Sequence, residues 1–201
     1  MSAKAKSVLE LARRKGFIRA HDLIQHSIST VYLGRLTRQG LLERVSCGLY
    51  RLPNAEVTEH YSLVEVAAKA PAGVICLLSA LRFHGIGTQQ PHDVWLAIPE
   101  KARRPRMTKP HLRLFRFSKA AFTEGVETHV IQGVTVRVYS PAKTVADCFK
   151  YRNKIGLDVA MEALRESLRS RKCTRDDIHR HARICRVWNV MRPYLEMEAS
   201  S

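Results

Sequence analysis

Apolar residues recur three and four positions apart over much of this chain; where they alternate instead, the runs are short and bounded by Gly, Pro or Asn. Residues 3–15 carry Val8, Leu9, Leu11 and Ala12 among polar neighbours, which predicts a helix with one buried side, ended by Gly16. A second short helix follows over 19–26, with Leu23 and Ile24 inward and Ile28 sealing the turn after it. Ser29 is placed to cap a third helix over 30–39, and Gly40 stops it. At about 100° per residue, Tyr32, Leu33 and Leu36 share one side of this helix, and Thr30, Val31, Gly34, Arg35 and Arg38 share the other. Residues 41–45 and 49–52 then flank Ser46-Cys47-Gly48, a tight hairpin in which Gly48 supplies a positive φ.

Residues 1–54 therefore read as a winged helix-turn-helix, 55–59 as a polar connector and 60–201 as a second domain. In the second domain, helical spacing covers 60–70, 79–84, 141–151, 156–169, 179–185 and 187–197. Ser140-Pro141 is a helix start, and Thr174 with Asp177 has the form of a capping box. Strand patterns fall at 94–98, 112–117, 126–131 and 134–139, with 74–77 a short strand or helix entry. The expected fold class is α+β: an N-terminal winged helix-turn-helix followed by a mixed α/β C-terminal domain that ends in a helical segment.

Charge gives the first domain a purpose. The chain has 201 residues, 34 Lys and Arg against 18 Asp and Glu, and a formal net charge of +16. Residues 1–53 hold ten basic and three acidic residues. Such a balance favours polyanionic partners, nucleic acid first. A helix with an apolar inner stripe and a small, cationic outer face suits a major groove. Thr30, Val31, Gly34, Arg35 and Arg38 are the candidates for reading or positioning on the groove, Arg44 and Arg51 for phosphate contacts from the wing, and Lys4, Lys6 and Arg19 for phosphate contacts nearby. The loop 100–110, EKARRPRMTKP, packs five basic residues and two prolines between strands; it reads as a solvated connection or as an arm for phosphates or a minor groove.

Other chemistry finds little support. His84-Gly85 and His92-Asp93 lack paired carboxylates, a nucleophile–base pair or a phosphate-cradling loop, so no catalytic residue and no cofactor is expected. His179 and His181 lie two apart on a helix and diverge by about 200°, so with Cys185 they make no metal site while the helix is intact. Asp147, among apolar neighbours, needs a partner if buried: Lys143 one turn earlier, Arg165, or another helix. Five widely spaced cysteines without a Cys-x-x-Cys pair fit reduced thiols, and no apolar run approaches a membrane span; a soluble cytoplasmic protein with no membrane partner is expected. No heptad or symmetric patch decides the oligomeric state.

Several segments are similar to those of a known family. STVYLGRLTRQGLLERVSCGLYRLP in the N-terminal part, LLSALRFHGI at 77–86, VWLAIP at 94–99 and SPAKTVADCFKYRNKIGLDVAMEALR at 140–165 resemble the AbiEi-like antitoxins and transcriptional regulators of AbiE-type (type IV) toxin–antitoxin systems. The resemblance covers most of the chain. It implies a DNA-binding N-terminal domain, a C-terminal antitoxin domain, repression of the protein's own operon through inverted repeats in double-stranded DNA, and a neighbouring nucleotidyltransferase-like toxin. Wings of that family usually carry a basic residue just before the glycine, where this chain has Cys47, so the wing's grip is expected to rest on Arg44 and Arg51. Two further readings stand beside it: an interaction module whose main work is toxin neutralisation, and a stand-alone winged-helix regulator.

Overall fold

The computed structural model describes residues 2–46, 48–54 and 60–198. The expectations for Cys47 and for a connector at 55–59 lie outside the described residues. The chain divides into two units, the first running to Pro71 and including Val130–Val136, the second comprising Ala72–His129 and the chain from Arg137 onward.

The first unit opens with α1 (Ala3–Lys15), whose start is capped by Ser2 Oγ accepting from the Ala5 amide at 3.3 Å. Ala5, Val8, Leu11 and Ala12 form its buried stripe. After Gly16, β1 (Phe17–Arg19) leads into α2 (Ala20–Gln25) and then α3 (Val31–Arg38). Leu33 and Leu36 are buried, with Tyr32 partly so. On α2 the inward position is Leu23; Ile24, expected inward, is 63% exposed, because a helix of six residues turns too few positions toward one core. The hairpin β2 (Glu43–Ser46) and β3 (Leu49–Arg51) follows, and β3 lies in the middle of a three-stranded sheet of order β1-β3-β2, antiparallel to both neighbours. Gly48, at φ 72°, takes the left-handed conformation that the turn needs. Helix α4 (Tyr61–Lys69) belongs to the same unit, with Tyr61 stacked on Phe17 at 5.0 Å between ring centroids.

The second unit is built on a five-stranded mixed sheet of order β6-β5-β4-β8-β7, residues 130–136 at the β7–β8 turn being counted with the first unit. Its strands are β4 (Val74–Ile75), β5 (Val94–Pro99), β6 (Leu112–Phe117), β7 (Val126–Ile131) and β8 (Val134–Tyr139). β4 runs antiparallel to β5 and parallel to β8, and β5 runs parallel to β6. The apolar run of β5, buried from Val94 to Ile98, is the pattern of a strand covered on both faces. Helices α5 (Leu77–Phe83), α6 (Lys119–Thr123), α7 (Pro141–Lys150), α8 (Arg152–Ile155), α9 (Leu157–Arg169), α10 (Arg175–Ile184) and α11 (Trp188–Met197) complete it. Thr174 and Asp177 form the expected capping box at the start of α10. The described cysteines Cys76, Cys148, Cys173 and Cys185 are free thiols. Among the described residues, no helix is long and apolar enough to cross a membrane.

Helix α7 sits at the centre of this unit, packed on α5, α9, α10 and α11. Ser140 caps it and Pro141 opens it, as the sequence predicts. Two of its buried side chains are charged: Lys143 and Asp147 show no exposure, and Nζ lies 2.5 Å from Oδ2. Arg165, an alternative partner, pairs instead with Glu198 at 2.7 Å. The Lys143 ammonium also lies 4.1 Å from the centroid of the Tyr139 ring and 4.7 Å from that of Phe117. The second carboxylate oxygen accepts from Cys185 Sγ at 3.3 Å. Burial pushes the Asp147 carboxyl above its usual range, against the pull of Lys143. Burial and that carboxylate push the Cys185 thiol up to about 12, which keeps its proton for donation.

Removing one partner leaves the other charge buried alone. Lys143→Met or Asp147→Leu should each destabilise the protein by about 3–5 kcal/mol, whereas the double substitution should fall within about 2 kcal/mol of wild type or exceed it. Both tryptophans, Trp95 and Trp188, lie in the second unit, so urea denaturation followed by tryptophan fluorescence reads this effect. Equal losses in the single and double variants would contradict the pairing.

Candidate nucleic-acid interface

The candidate surface is the outer side of α3, and its orientation follows from what the inner side buries. Leu33 and Leu36 are 3% and 0% exposed in a core with Val8, Leu11, Ala12, Ile18, Leu23, Ile28 and Leu42. The helix is held at its start by the turn after α2, where the Ile28 amide donates to the Leu23 carbonyl at 2.9 Å and Ser27 adopts φ 55°. Thr30 is the N-cap residue in helical conformation, and Ser29 Oγ accepts from the Val31 amide at 3.4 Å. The helix thus starts one residue later than its sequence suggests.

With that rotation, Thr30, Val31, Gly34, Arg35 and Arg38 are all exposed on α3, Val31 by 70%. A Cβ on Gly34 would meet nothing within 4 Å, so the middle of this face is low and open. The Arg38 side chain folds toward its own helix, with Nε 3.5 Å from the Gly34 carbonyl. The Arg35 carbonyl accepts from the Gln39 amide at 3.1 Å, while among the described residues no hydrogen bond or ion pair engages its guanidinium. The face therefore presents two guanidinium groups, a hydroxyl and an apolar side chain around a shallow centre.

The other candidates are more scattered. Lys4 and Lys6 are exposed on α1, but two positions apart on a helix they diverge, and Lys4 borders the groove between α1 and the turn at His26, Ser27 and Ile28. Arg19 has an exposed side chain, while its backbone amide donates to Asp22 Oδ2 at 2.7 Å. On the hairpin, Arg44 pairs across from Tyr50 and Arg51 across from Glu43. Adjacent cross-strand pairs point to opposite sides of a sheet, so Arg44 and Arg51 do not share a face. Arg44 is exposed, its Nε donating to the Ser46 carbonyl at 3.3 Å. Arg51 is turned to Glu43, with Nη2 2.8 Å from Oε2.

Asp22 has no place among the sequence candidates, yet it ties this region together. Its Oδ1 accepts from Lys15 Nζ at 2.5 Å, and its Oδ2 takes the Arg19 amide, so one carboxylate joins the end of α1 to the start of α2. Burial opposes ionisation here, but the Lys15 ammonium and the Arg19 amide outweigh it and hold the carboxyl below its ordinary value. The signal in the sequence is Asp22 three residues after the residue that precedes α2, the position from which an acid reaches back to the free amides.

In the second unit, the loop after β5 leaves Lys101, Arg103, Arg104 and Arg106 exposed. Arg116 Nη1 pins its base by donating to the carbonyls of Glu100 at 2.5 Å and Ala102 at 2.8 Å. The histidines do not converge on an ion. His179 packs edge-on against Trp188 at 4.3 Å, His181 is turned into the core, and His84 Nε2 lies 2.7 Å from the Tyr139 carbonyl. Among the described residues, no group of three or more His, Cys, Asp or Glu side chains is placed to hold a metal.

Two family models match the chain. One, described as a transcriptional regulator, AbiEi antitoxin, covers residues 6–53; the other, described as the AbiEi antitoxin C-terminal domain, covers residues 73–196, more than half of the chain. A search of curated proteins returned no match.

Asp22→Ala should cost about 1 kcal/mol, the usual worth of such a hydrogen-bonded side chain. Because the folded carboxyl titrates below the unfolded value of about 3.9, its contribution is present above that pH and is lost as pH falls through the folded value. Urea denaturation followed by circular dichroism should therefore show the gap between wild type and Asp22→Ala full at pH 7 and closing below about pH 4.

Proposed function

The chain belongs to the AbiEi antitoxin family, and on that premise we propose that its first unit is a winged helix-turn-helix that binds the promoter of its own operon and represses it, while residues 73–196 carry the antitoxin function. The observation that supports the DNA-binding reading best is the outer face of α3, where Arg35, Arg38, Val31 and Thr30 surround the open space over Gly34. A major groove about 12 Å wide admits such a helix. Arginine forks match the acceptors of guanine or the phosphate oxygens, a methyl-bearing side chain such as Val31 meets the thymine methyl, and a residue without a side chain lets the backbone approach.

In this reading β2 and β3 are the wing, and Arg44, Lys4, Lys6 and Arg19 add sequence-independent phosphate contacts. Binding to inverted repeats would place one chain on each half-site. The toxin partner implied by the family resemblance is a nucleotidyltransferase-like protein encoded next to this one. The action requires no reaction by the chain itself, and it takes place in the cytoplasm, where the DNA is.

A second reading, favoured by the larger share of the chain that the C-terminal family model covers, makes toxin neutralisation the main activity and DNA binding the accessory one. The two separate in one experiment. Arg35→Ala/Arg38→Ala should weaken binding to a duplex of the protein's own promoter by about 1–3 kcal/mol for each base-specific hydrogen-bonded pairing it removes, and should narrow the difference from a scrambled duplex. Fluorescence anisotropy measures both. Unchanged affinity and preference would remove α3 from the interface. The same variant should still rescue cells that express the neighbouring toxin, if neutralisation resides in the second unit.

A further inference from the structure

The hairpin holds two arginines, and the register sets them on opposite sides of the sheet. Arg51 lies in the central strand, directly across from Phe17 of β1 and Glu43 of β2, so these three side chains share one face. That face is covered by α4. Tyr61 stacks on Phe17 at 5.0 Å and 25°, and the Arg51 guanidinium carbon lies 4.8 Å from the centroid of the same Tyr61 ring. Tyr61 and Glu65 are one turn apart on α4 and face the same way.

Two nitrogens of the Arg51 guanidinium meet Glu43, and the third faces Glu65 at ion-pair distance. Nε and Nη2 lie 2.9 Å and 2.8 Å from Glu43 Oε2, and Nη1 lies 3.9 Å from Glu65 Oε2. Glu65 is itself only 9% exposed, and its Oε1 accepts from Lys69 Nζ at 2.7 Å. A buried carboxylate needs compensating charge, and among the described residues Arg51 and Lys69 are the cations that supply it. To meet a phosphate, Arg51 would have to leave two carboxylates and an aromatic face, and Glu65 would be left half compensated.

From this we infer that Arg51 is a positioning residue: held within the hairpin by Glu43, its guanidinium clamps the hairpin to α4 through Tyr61 and Glu65, and so fixes where the hairpin's opposite face, with Arg44, is presented. The inference deepens the DNA-binding reading and rests on it for its consequence, but the clamp itself is testable without DNA. A planar fork stacked on a ring is something lysine does not reproduce, whereas lysine serves a phosphate as a point charge. The two roles therefore diverge at Arg51→Lys.

The experiment uses the full chain with Arg51→Gln, Arg51→Lys, Glu65→Gln, Arg44→Gln and the Arg51→Gln/Glu65→Gln double variant. In urea denaturation, Arg51→Gln and Glu65→Gln should each lower the midpoint, and the double variant should fall by clearly less than the sum of the two shifts. Additive shifts would overturn the clamp. Binding to a random-sequence duplex, titrated against salt, gives the second readout, because phosphate contacts need no operator. Arg44→Gln should reduce the slope of log K against log salt by about 0.9. Arg51→Lys and Arg51→Gln should weaken binding to the same degree, about threefold to tenfold. If Arg51→Lys instead keeps wild-type affinity and slope while Arg51→Gln loses about 0.9 of slope, Arg51 is a phosphate contact and the inference is overturned. A chain that bound no duplex at all would remove the DNA-binding reading, and the urea measurements would still decide the clamp.

Discussion

Burial of Leu33 and Leu36 is the constraint on which the candidate interface depends. A helix of eight residues has a single rotation that places both side chains among Val8, Leu11, Leu23 and Leu42, and that rotation sends positions 31, 34, 35 and 38 to the opposite side. Full burial of a leucine is worth about 1.5–3 kcal/mol, far more than any exposed arginine gains from a particular orientation. The apolar side therefore decides where the guanidinium groups point. Asp22, Ser27 and the hairpin add precision to a placement whose direction is already determined.

The second unit works under a different economy. Its centre is a helix that is buried on nearly every side and carries a lysine and an aspartate with no exposure. Attraction between the two charges offsets much of their desolvation, and the rings of Tyr139 and Phe117 and the thiol of Cys185 take up the remaining capacity. Such a pair contributes little net stability compared with two apolar residues. What it adds is a requirement: α7 fits only where the residue capping α10 (Cys185), β8 (Tyr139) and β6 (Phe117) come to the same place. Gly125 shows how tight this place is, since a Cβ there would come within 2.7 Å of Lys143 Cβ and 2.8 Å of His181 Cε1.

Elements with a full period of hydrophobic pattern were legible in the amino-acid sequence. The helix at 3–15 and the strands at 112–117, 126–131 and 134–139 match the structure to the residue, and Lys143 was among the partners open to Asp147. Pieces of three to five residues, too short for a pattern to repeat, were not. Phe17–Arg19 is three residues between a glycine and a helix, and it is a strand because β3 pairs with it; Lys119–Thr123 and Arg152–Ile155 are single turns that neighbouring elements hold in place. The exposed face of α3 could be drawn from angles alone, because burial on one side implies exposure on the other. The orientation of Arg51 could not, because it depends on a cross-strand register and on a helix ten residues further along the chain.

The vacancy over Gly34 bears on how such a regulator diversifies. Residues that determine stability and the residues proposed to meet DNA lie on different sides of one helix, and at position 34 a Cβ on the outer side would meet nothing within 4 Å. Replacing a mid-helix glycine removes a destabilisation of roughly 0.5–1 kcal/mol, so new residues at this position start with a gain in folding rather than a loss. On the DNA-binding reading proposed above, descendants of this protein could explore new target sequences by single substitutions at the rim without passing through unfolded intermediates. Duplicated copies in one genome can lose cross-talk quickly while their interiors stay nearly unchanged.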